Sequence, residues 1–324
     1  MGCAGAPKRE SLPAPVQRAP NHGAAGLLGS WKAEAEPGYF VQFEEDRYTV
    51  AFRGQVRSVA RILAFEGLRA RLCDRGRERT LETAFQGDDL LVTDPESKVV
   101  RRLERVPTPP AELILEPLRL PRAEPVSAEE VAQIQRQLGE RLRADEEAQQ
   151  SLFGGIERID PEAWRRPAPP PEASWSEDNL RWIETTSRNT EYLKKLVTSI
   201  GWIDVSRFGY ATAKAAILIV QHSRDLPLML AALPESKRDA DAGRIEGEGY
   251  ALLYDRLQLS LGRRQRFGTQ IGRDEGGAPV VLPIEETAGL DDLRNHMGLA
   301  PLGQYLKLFG TEEVRFSTAC QATQ

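Results

Sequence analysis

The sequence predicts an α+β protein in two parts, a small antiparallel β-barrel followed by a mainly α-helical domain that carries a β-hairpin. Three observations predict it. Short runs of alternating apolar and polar residues crowd positions 28–106, proline takes over in 107–126, and from 127 the apolar spacing changes to threes and fours, with helix caps at the ends. At 324 residues the chain is long enough for two domains, each with its own core.

Composition narrows the function classes. A hydrophobic fraction of 40% and a charged fraction of 28% are those of a folded globular chain. The net charge of -5 argues against nucleic acid as a partner, because phosphate binding needs a concentrated basic surface. No stretch reaches the roughly 18 to 20 consecutive apolar residues of a membrane-spanning helix. Cys3, Cys73 and Cys320 are far apart and form no CxxC pair, so neither a zinc site nor a disulfide framework is signalled, and a Cys73–Cys320 bridge stays open. His22, His222 and His296 are equally scattered. No cofactor is named by any of this.

Residues 1–27 are rich in proline and alanine and read as a disordered tether. Within it Gly2, Cys3, Ala4 and Gly5 resemble the end of a bacterial lipoprotein signal, whose hydrophobic leader would lie ahead of Met1. That likeness implies a lipid anchor at Cys3 and a place at the bacterial cell envelope. A random tail on a cytoplasmic protein is the alternative.

The segment 28–106 holds eight alternating runs, 39–43, 48–52, 55–60, 62–65, 68–73, 79–85, 90–93 and 99–103, separated by turn residues such as Gly67, Gly76 and Gly87. Tyr48, Val50 and Phe52 fall on one face and Thr49, Ala51 and Arg53 on the other, so a meander closing into a barrel is expected. Its opening Leu28, Gly29, Ser30 and Trp31 resembles the Gly-x-Trp start of lipocalin-like domains, where the tryptophan closes one end. Basic and acidic residues balance across the segment.

Residues 107–126 read as a proline-rich extended connection that permits independent domain motion, and 127–310 as the helical domain. Ser127 and Glu130 form a capping-box pair at its start. Val131, Ile134, Leu138 and Leu142 then make one narrow stripe, expected to pack on the rest of the domain. A further helix over 176–199 stops at Gly201, and Asn189 within it suits a structural hydrogen bond better than catalysis. Residues 311–324 read as a disordered tail.

The helix over 211–224 is apolar nearly all round and should be central. His222 follows Leu218 by four and Ile219 by three, which puts it on an apolar face one turn from Asp225. A carboxylate on one ring nitrogen would leave the other free as a base. Alternatively, His222 is a core histidine and Asp225 caps the helix that begins near Pro227. Asp255 and Arg256 sit inside the helix 249–261. Asp255 lies on its apolar side and needs a partner, an internal arginine being the simplest. Arg263, Arg264 and Arg266 complement that helix's carboxyl end or receive an anion. Residues 265–271 and 279–284 flank a glycine-rich turn and read as a hairpin.

The order Asn189 to Leu193, Gly201-Trp202, Val220-Gln221-His222, Asp225, Tyr254 to Arg256, Gln265, Gly268-Thr269-Gln270 and Gly298 to Leu302 resembles a bacterial family known as domain of unknown function 6624, over about residues 141–308. Two departures stand out: Ile203 where the family pattern has proline, and Phe267 where it has tyrosine. The resemblance implies no activity.

Two classes of function follow. In the first, the helical domain binds or acts on a small ligand, with His222, Asp225 and Asp255 as catalytic residues and Gln221, Arg256, Gln265, Thr269 and Gln270 as ligand contacts. No nucleophile elbow, Walker loop or dinucleotide fingerprint names a reaction. In the second, the chain is a noncatalytic envelope lipoprotein whose barrel and helical domain bind a partner protein.

Overall fold

The computed structural model describes residues 24–52, 55–93, 100–153, 177–274 and 276–320. Positions 1–23 of the tether expected over 1–27, with the lipidation candidate Cys3, lie outside them, and its last four residues, Ala24–Leu27, are a short helix rather than disordered. The first part is a closed barrel of eight antiparallel strands, β1 (Gly29–Ala33), β2 (Tyr39–Phe43), β3 (Arg47–Phe52), β4 (Gln55–Glu66), β5 (Arg69–Asp74), β6 (Arg77–Gln86), β7 (Asp89–Thr93) and β8 (Val100–Val106). Each strand pairs with the next, and β8 returns to β1 with Trp31 opposite Arg105. Closure leaves no edge strand open.

The count of eight conceals two differences from the sequence expectation. Runs 55–60 and 62–65 are one strand, because no turn residue separates them and pairing with β5 continues through a bulge between Ile62 and Ala64. The eighth strand is instead β1, built from the residues around the tryptophan. The lumen is filled by side chains, among them Val41, Phe43, Ile62, Leu81, Leu90 and Leu103. Trp31 is wholly buried and donates its Nε1–H to the Leu27 carbonyl at 3.0 Å, at the end of α1 (Ala24–Leu27). It is a structural plug.

The second part is helical: α2 (Ala128–Phe153), α3 (Glu177–Ile200), α4 (Val205–Phe208), α5 (Tyr210–Ser223), α6 (Leu226–Asp241), α7 (Gly247–Ser260), α8 (Leu290–His296) and α9 (Leu302–Leu306). The capping box forms as expected, Glu130 N donating to Ser127 Oγ and Ser127 N to Glu130 Oε2. Helix α5 is the centre. It touches α2, α3, α4, α6 and α7, and only Tyr210, Ala211 and Lys214 of its residues are exposed. The hairpin is present but short, β9 (Ile271–Arg273) pairing with β10 (Pro279–Val281). No described helix is long and apolar enough to cross a membrane.

The two parts are joined by more than a linker. Val56 and Val59 of β4 belong to the helical core, on which Leu115, Leu118, Leu120 and Val126 of the connection also pack. Leu118 N donates to the Pro227 carbonyl at 2.9 Å. Residues 311–320, expected as a disordered tail, run back across both parts. Phe316 bridges to Val281, and Cys320 reaches the barrel, where it forms a disulfide with Cys73 on β5. Arg61 Nη2 donates to the Cys320 carbonyl, and Cys320 N to Glu78 Oε1. Gly262, just after α7, sits on β4 so closely that an added Cβ would lie 2.5 Å from Arg61 N, at a φ of +69°. Gly262→Ala should therefore destabilise the whole chain by about 2 kcal/mol or more in urea denaturation. A loss under about 0.5 kcal/mol would show that the barrel does not bear on the end of α7.

Candidate functional site

A helix buried on all sides must satisfy its last carbonyls inside the protein. At the carboxyl end of α5 the neighbouring elements do this, and they bring polar groups together there. Ser223 Oγ donates to Val220 O, Arg256 Nη1 on α7 donates to Gln221 O at 2.7 Å, and Gln221 Nε2 donates to Gly249 O at 2.9 Å. His222 projects towards α2. Its Nδ1 lies 2.5 Å from Asp145 Oδ2, and its Nε2 lies 3.1 Å from Gln149 Nε2. Asp145 is 1% exposed, while the His222 side chain keeps 11% of its surface. These partners assign the tautomer: Nδ1–H donates to the carboxylate, and bare Nε2 accepts from the Gln149 amide. Asp145 Oδ1, Gln149 Oε1 and Arg141 Nε nearby on α2 have no partner among the described residues.

The expected pairing of His222 with Asp225 is corrected by this geometry. Arg224 adopts a left-handed conformation at the end of α5 (φ 52°), so the chain turns before Asp225 and carries it away from the ring. Asp225 instead caps α6 through Leu228 N at 3.0 Å and pairs with Lys194 of α3 at 2.7 Å. Ser223, Asp225 and Lys194 line a cleft of about 510 Å³ together with Gln55 and Arg57 of β4 and Thr190 of α3. The cleft lies where the barrel meets the helices.

Asp255, Gln265 and Thr269 form a separate, closed arrangement. Asp255 is fully buried, and its carboxylate accepts from Arg266 N, Phe267 N, Thr269 N and Thr269 Oγ1 at 2.7 to 3.2 Å. Its partner is thus a loop backbone and not the arginine expected. From the other side Arg294, wholly buried, donates to Phe267 O and Gly268 O, while Tyr305 donates to Thr269 O. Gln265 closes the loop on itself, accepting from Gln270 N and donating to Gln270 O and Leu282 O. Residues 265–270 are therefore a clamped loop and not part of the hairpin that the glycine-rich turn suggested, which begins only at Ile271. Burial raises the Asp255 carboxyl above its ordinary range, and the hydrogen bonds from Phe267, Thr269 and Arg266 pull it back. Burial and the Arg294 charge act oppositely on Tyr305, with burial winning and pushing its hydroxyl up to about 12.

Arg256 and Gln270 connect the two arrangements. Arg256 Nε faces Gln270 Oε1 at 3.5 Å, and Gln270 Nε2 donates to Thr269 Oγ1 at 3.1 Å. Burial lowers Arg256 to about 10, with the neighbouring Arg224 charge second. The structure thus gathers His222, Gln221, Arg256 and Gln270 about one helix end, and sets Asp225, Asp255, Gln265 and Thr269 to capping and loop clamping. Arg263, Arg264 and Arg266 are exposed. Asn189 exchanges hydrogen bonds with Arg141, a structural link between α2 and α3.

Sequence reasoning missed Asp145 and Gln149, although their signal was present. The stripe Val131, Ile134, Leu138 and Leu142 continues at the same spacing to positions 145 and 149, where polar residues stand in apolar places. Arg294 gave no signal. Among the described residues no three His, Cys, Asp or Glu side chains gather to hold a metal ion.

Comparison adds one match. The sequence model of a family of unknown function, DUF6624, matches residues 138–314. No curated protein and no solved structure matches the chain at a significant level.

Asp255→Asn should lower stability by about 2–3 kcal/mol, since an amide turns one acceptor into a donor facing backbone N–H groups. Urea denaturation of the variant measures it. A change within about 0.5 kcal/mol would mean the carboxylate does not hold the loop.

Proposed function

The chain belongs to the DUF6624 family, which covers more than half of it, and we propose that its helical domain binds a small polar ligand at the carboxyl end of α5 and uses His222 as a general base towards it. The observation that carries this reading is the Asp145–His222 pair. A buried carboxylate is costly to desolvate, and a histidine needing only a core partner is satisfied by a carbonyl or an amide. Asp145 fixes the tautomer and leaves Nε2 as the nitrogen that can accept a proton. A ligand hydroxyl or amine would take the place of the Gln149 amide on Nε2. Asp145 Oδ1 and Gln149 Oε1 add acceptors beside it. Gln221 and Arg256 hold the helix end in position, and Gln270 supports Arg256.

A thermal-shift screen of metabolites, nucleotides and cell-wall fragments tests this on wild type, His222→Ala and Asp145→Asn together. A ligand at a hundredfold excess over its dissociation constant stabilises the folded chain by about 2.7 kcal/mol. The reading expects a hit that is lost with His222→Ala and weakened with Asp145→Asn. If every hit survives His222→Ala, the ligand site lies elsewhere.

One observation favours a second reading, that the protein works at the bacterial cell envelope, held by a lipid at Cys3 and binding a partner protein there. The Cys73–Cys320 disulfide joins the barrel to the end of the chain, and such bonds persist in oxidising compartments. Peptide mapping of natively produced protein without reductant should recover the 73–320 cross-link and an acylated Cys3. Free thiols at Cys73 and Cys320 in that material would end this reading.

A further inference from the structure

Arg256 and Arg224 stand at the His222 end of α5, and Arg75 lies on the barrel turn that packs against α7. Arg256 reaches Gln221 O from α7, which sets its guanidinium against the last turn of α5. Arg224 is the residue that ends that turn. Arg75 sits at the β5–β6 turn, and the next residue, Gly76, packs on α7 and on the segment just after β10: a Cβ there would lie 3.2 Å from Leu259 and 3.0 Å from Pro283. The barrel turn is thereby held at the same corner as α7.

Two features set this group apart from ordinary surface arginines. First, Arg75 and Arg224 both have left-handed backbones, with φ of 48° and 52°. Glycine or asparagine is the usual choice at a helix end or in a tight hairpin turn, and a longer side chain there costs roughly 1–2 kcal/mol. Second, the charges are under-compensated. Arg224 and Arg256 pair with no carboxylate among the described residues, and Arg75 shares Asp74 with Arg79, at 3.4 and 3.5 Å. Arg224 lies over the Trp182 ring at 5.5 Å, which steadies it without neutralising it. It keeps solvent access, yet burial lowers its pKa, and the Arg75 charge lowers it further. Like charges held together at a structural cost favour an anion between them.

We propose that Arg224, Arg256 and Arg75 bind the oxyanion group, phosphate or carboxylate, of the ligand whose proton His222 takes. This rests on the His222 reading for the rest of the ligand. Planar guanidinium groups offer paired N–H donors to either oxyanion, and Arg224 lies two residues from the base, so the group bound is an end of the same small molecule.

The test titrates inorganic phosphate and, separately, acetate into the full chain at ionic strength held constant with chloride, reading melting temperature and heats of binding. Arg224→Gln is the informative variant, because Arg224 is exposed and its side chain forms no hydrogen bond among the described residues whose loss would unfold the protein. Arg263→Gln with Arg264→Gln is the control for general positive charge. The proposal expects a saturable rise in melting temperature with at least one anion. Arg224→Gln should weaken that binding about tenfold, the loss of one charge-assisted contact, and the control should leave it unchanged. Binding of phosphate without acetate would identify a phosphate ester, and binding of both a carboxylate-sized site. No saturable shift with either anion, or equal binding by Arg224→Gln, overturns the proposal. Failure of the two readings is distinguishable. A His222-dependent ligand without an acidic group would remove the anion site and keep the base. Arg224-dependent phosphate binding with no His222-dependent ligand would do the reverse.

Discussion

The burial of α5 is the constraint from which the site follows. With Ala215, Ala216, Ile217, Ile219 and Val220 buried, the second half of the helix has little solvent face along which to release its last carbonyls. They must be met by side chains from α5 itself and from α7, and those side chains are polar in an apolar setting. Arg256 is at the corner for that reason, and it draws Gln270 with it. The same end of α5 presents His222 to α2, where Asp145 completes the pair. A site of mixed charge thus sits at the edge of a core made almost wholly of aliphatic side chains.

A second consequence concerns the loop that follows α7. Asp255 gathers backbone N–H groups and Arg294 gathers backbone carbonyls of the same few residues, so the loop is held by opposite charges from its two sides. Among the described residues neither charge is neutralised by a direct ion pair. Each is instead solvated by peptide dipoles, which suits a buried ion whose position must be fixed. This rigid loop presents Gln270 to Arg256. The barrel contributes to the same corner through Gly76, which packs on α7, and through Arg61 of β4, against which Gly262 sits, and Cys320 ties the chain back to β5, so barrel and helices act as one support for the helix end.

The sequence made the elements legible and left their partners obscure. Period-two and period-four patterns are local, and they located the barrel, the capping box at Ser127, the central helix and the apolar face that carries His222. Partners are not local. Asp145 precedes His222 by 77 residues, and Asp225, only three residues away, looked the better candidate until the left-handed turn at Arg224 moved it. Asp255 was recognisable as a buried charge in need of company, but peptide N–H groups have no sequence signature and an arginine does. The tail from 311 looked structureless because its order comes from single contacts, Phe316 on Val281 and Cys320 on Cys73, and not from any repeat.

The function proposed at the end of α5 needs Asp145 to hold His222 with a proton on Nδ1 and a bare Nε2. Nitrogen NMR of the imidazole at neutral pH reads this directly, with Asp145→Asn alongside to assign the effect. The expected spectrum has a protonated Nδ1 and an unprotonated Nε2 in the wild type, and loses that preference in the variant. A proton on Nε2 in the wild type would contradict it and make His222 a structural residue of the core.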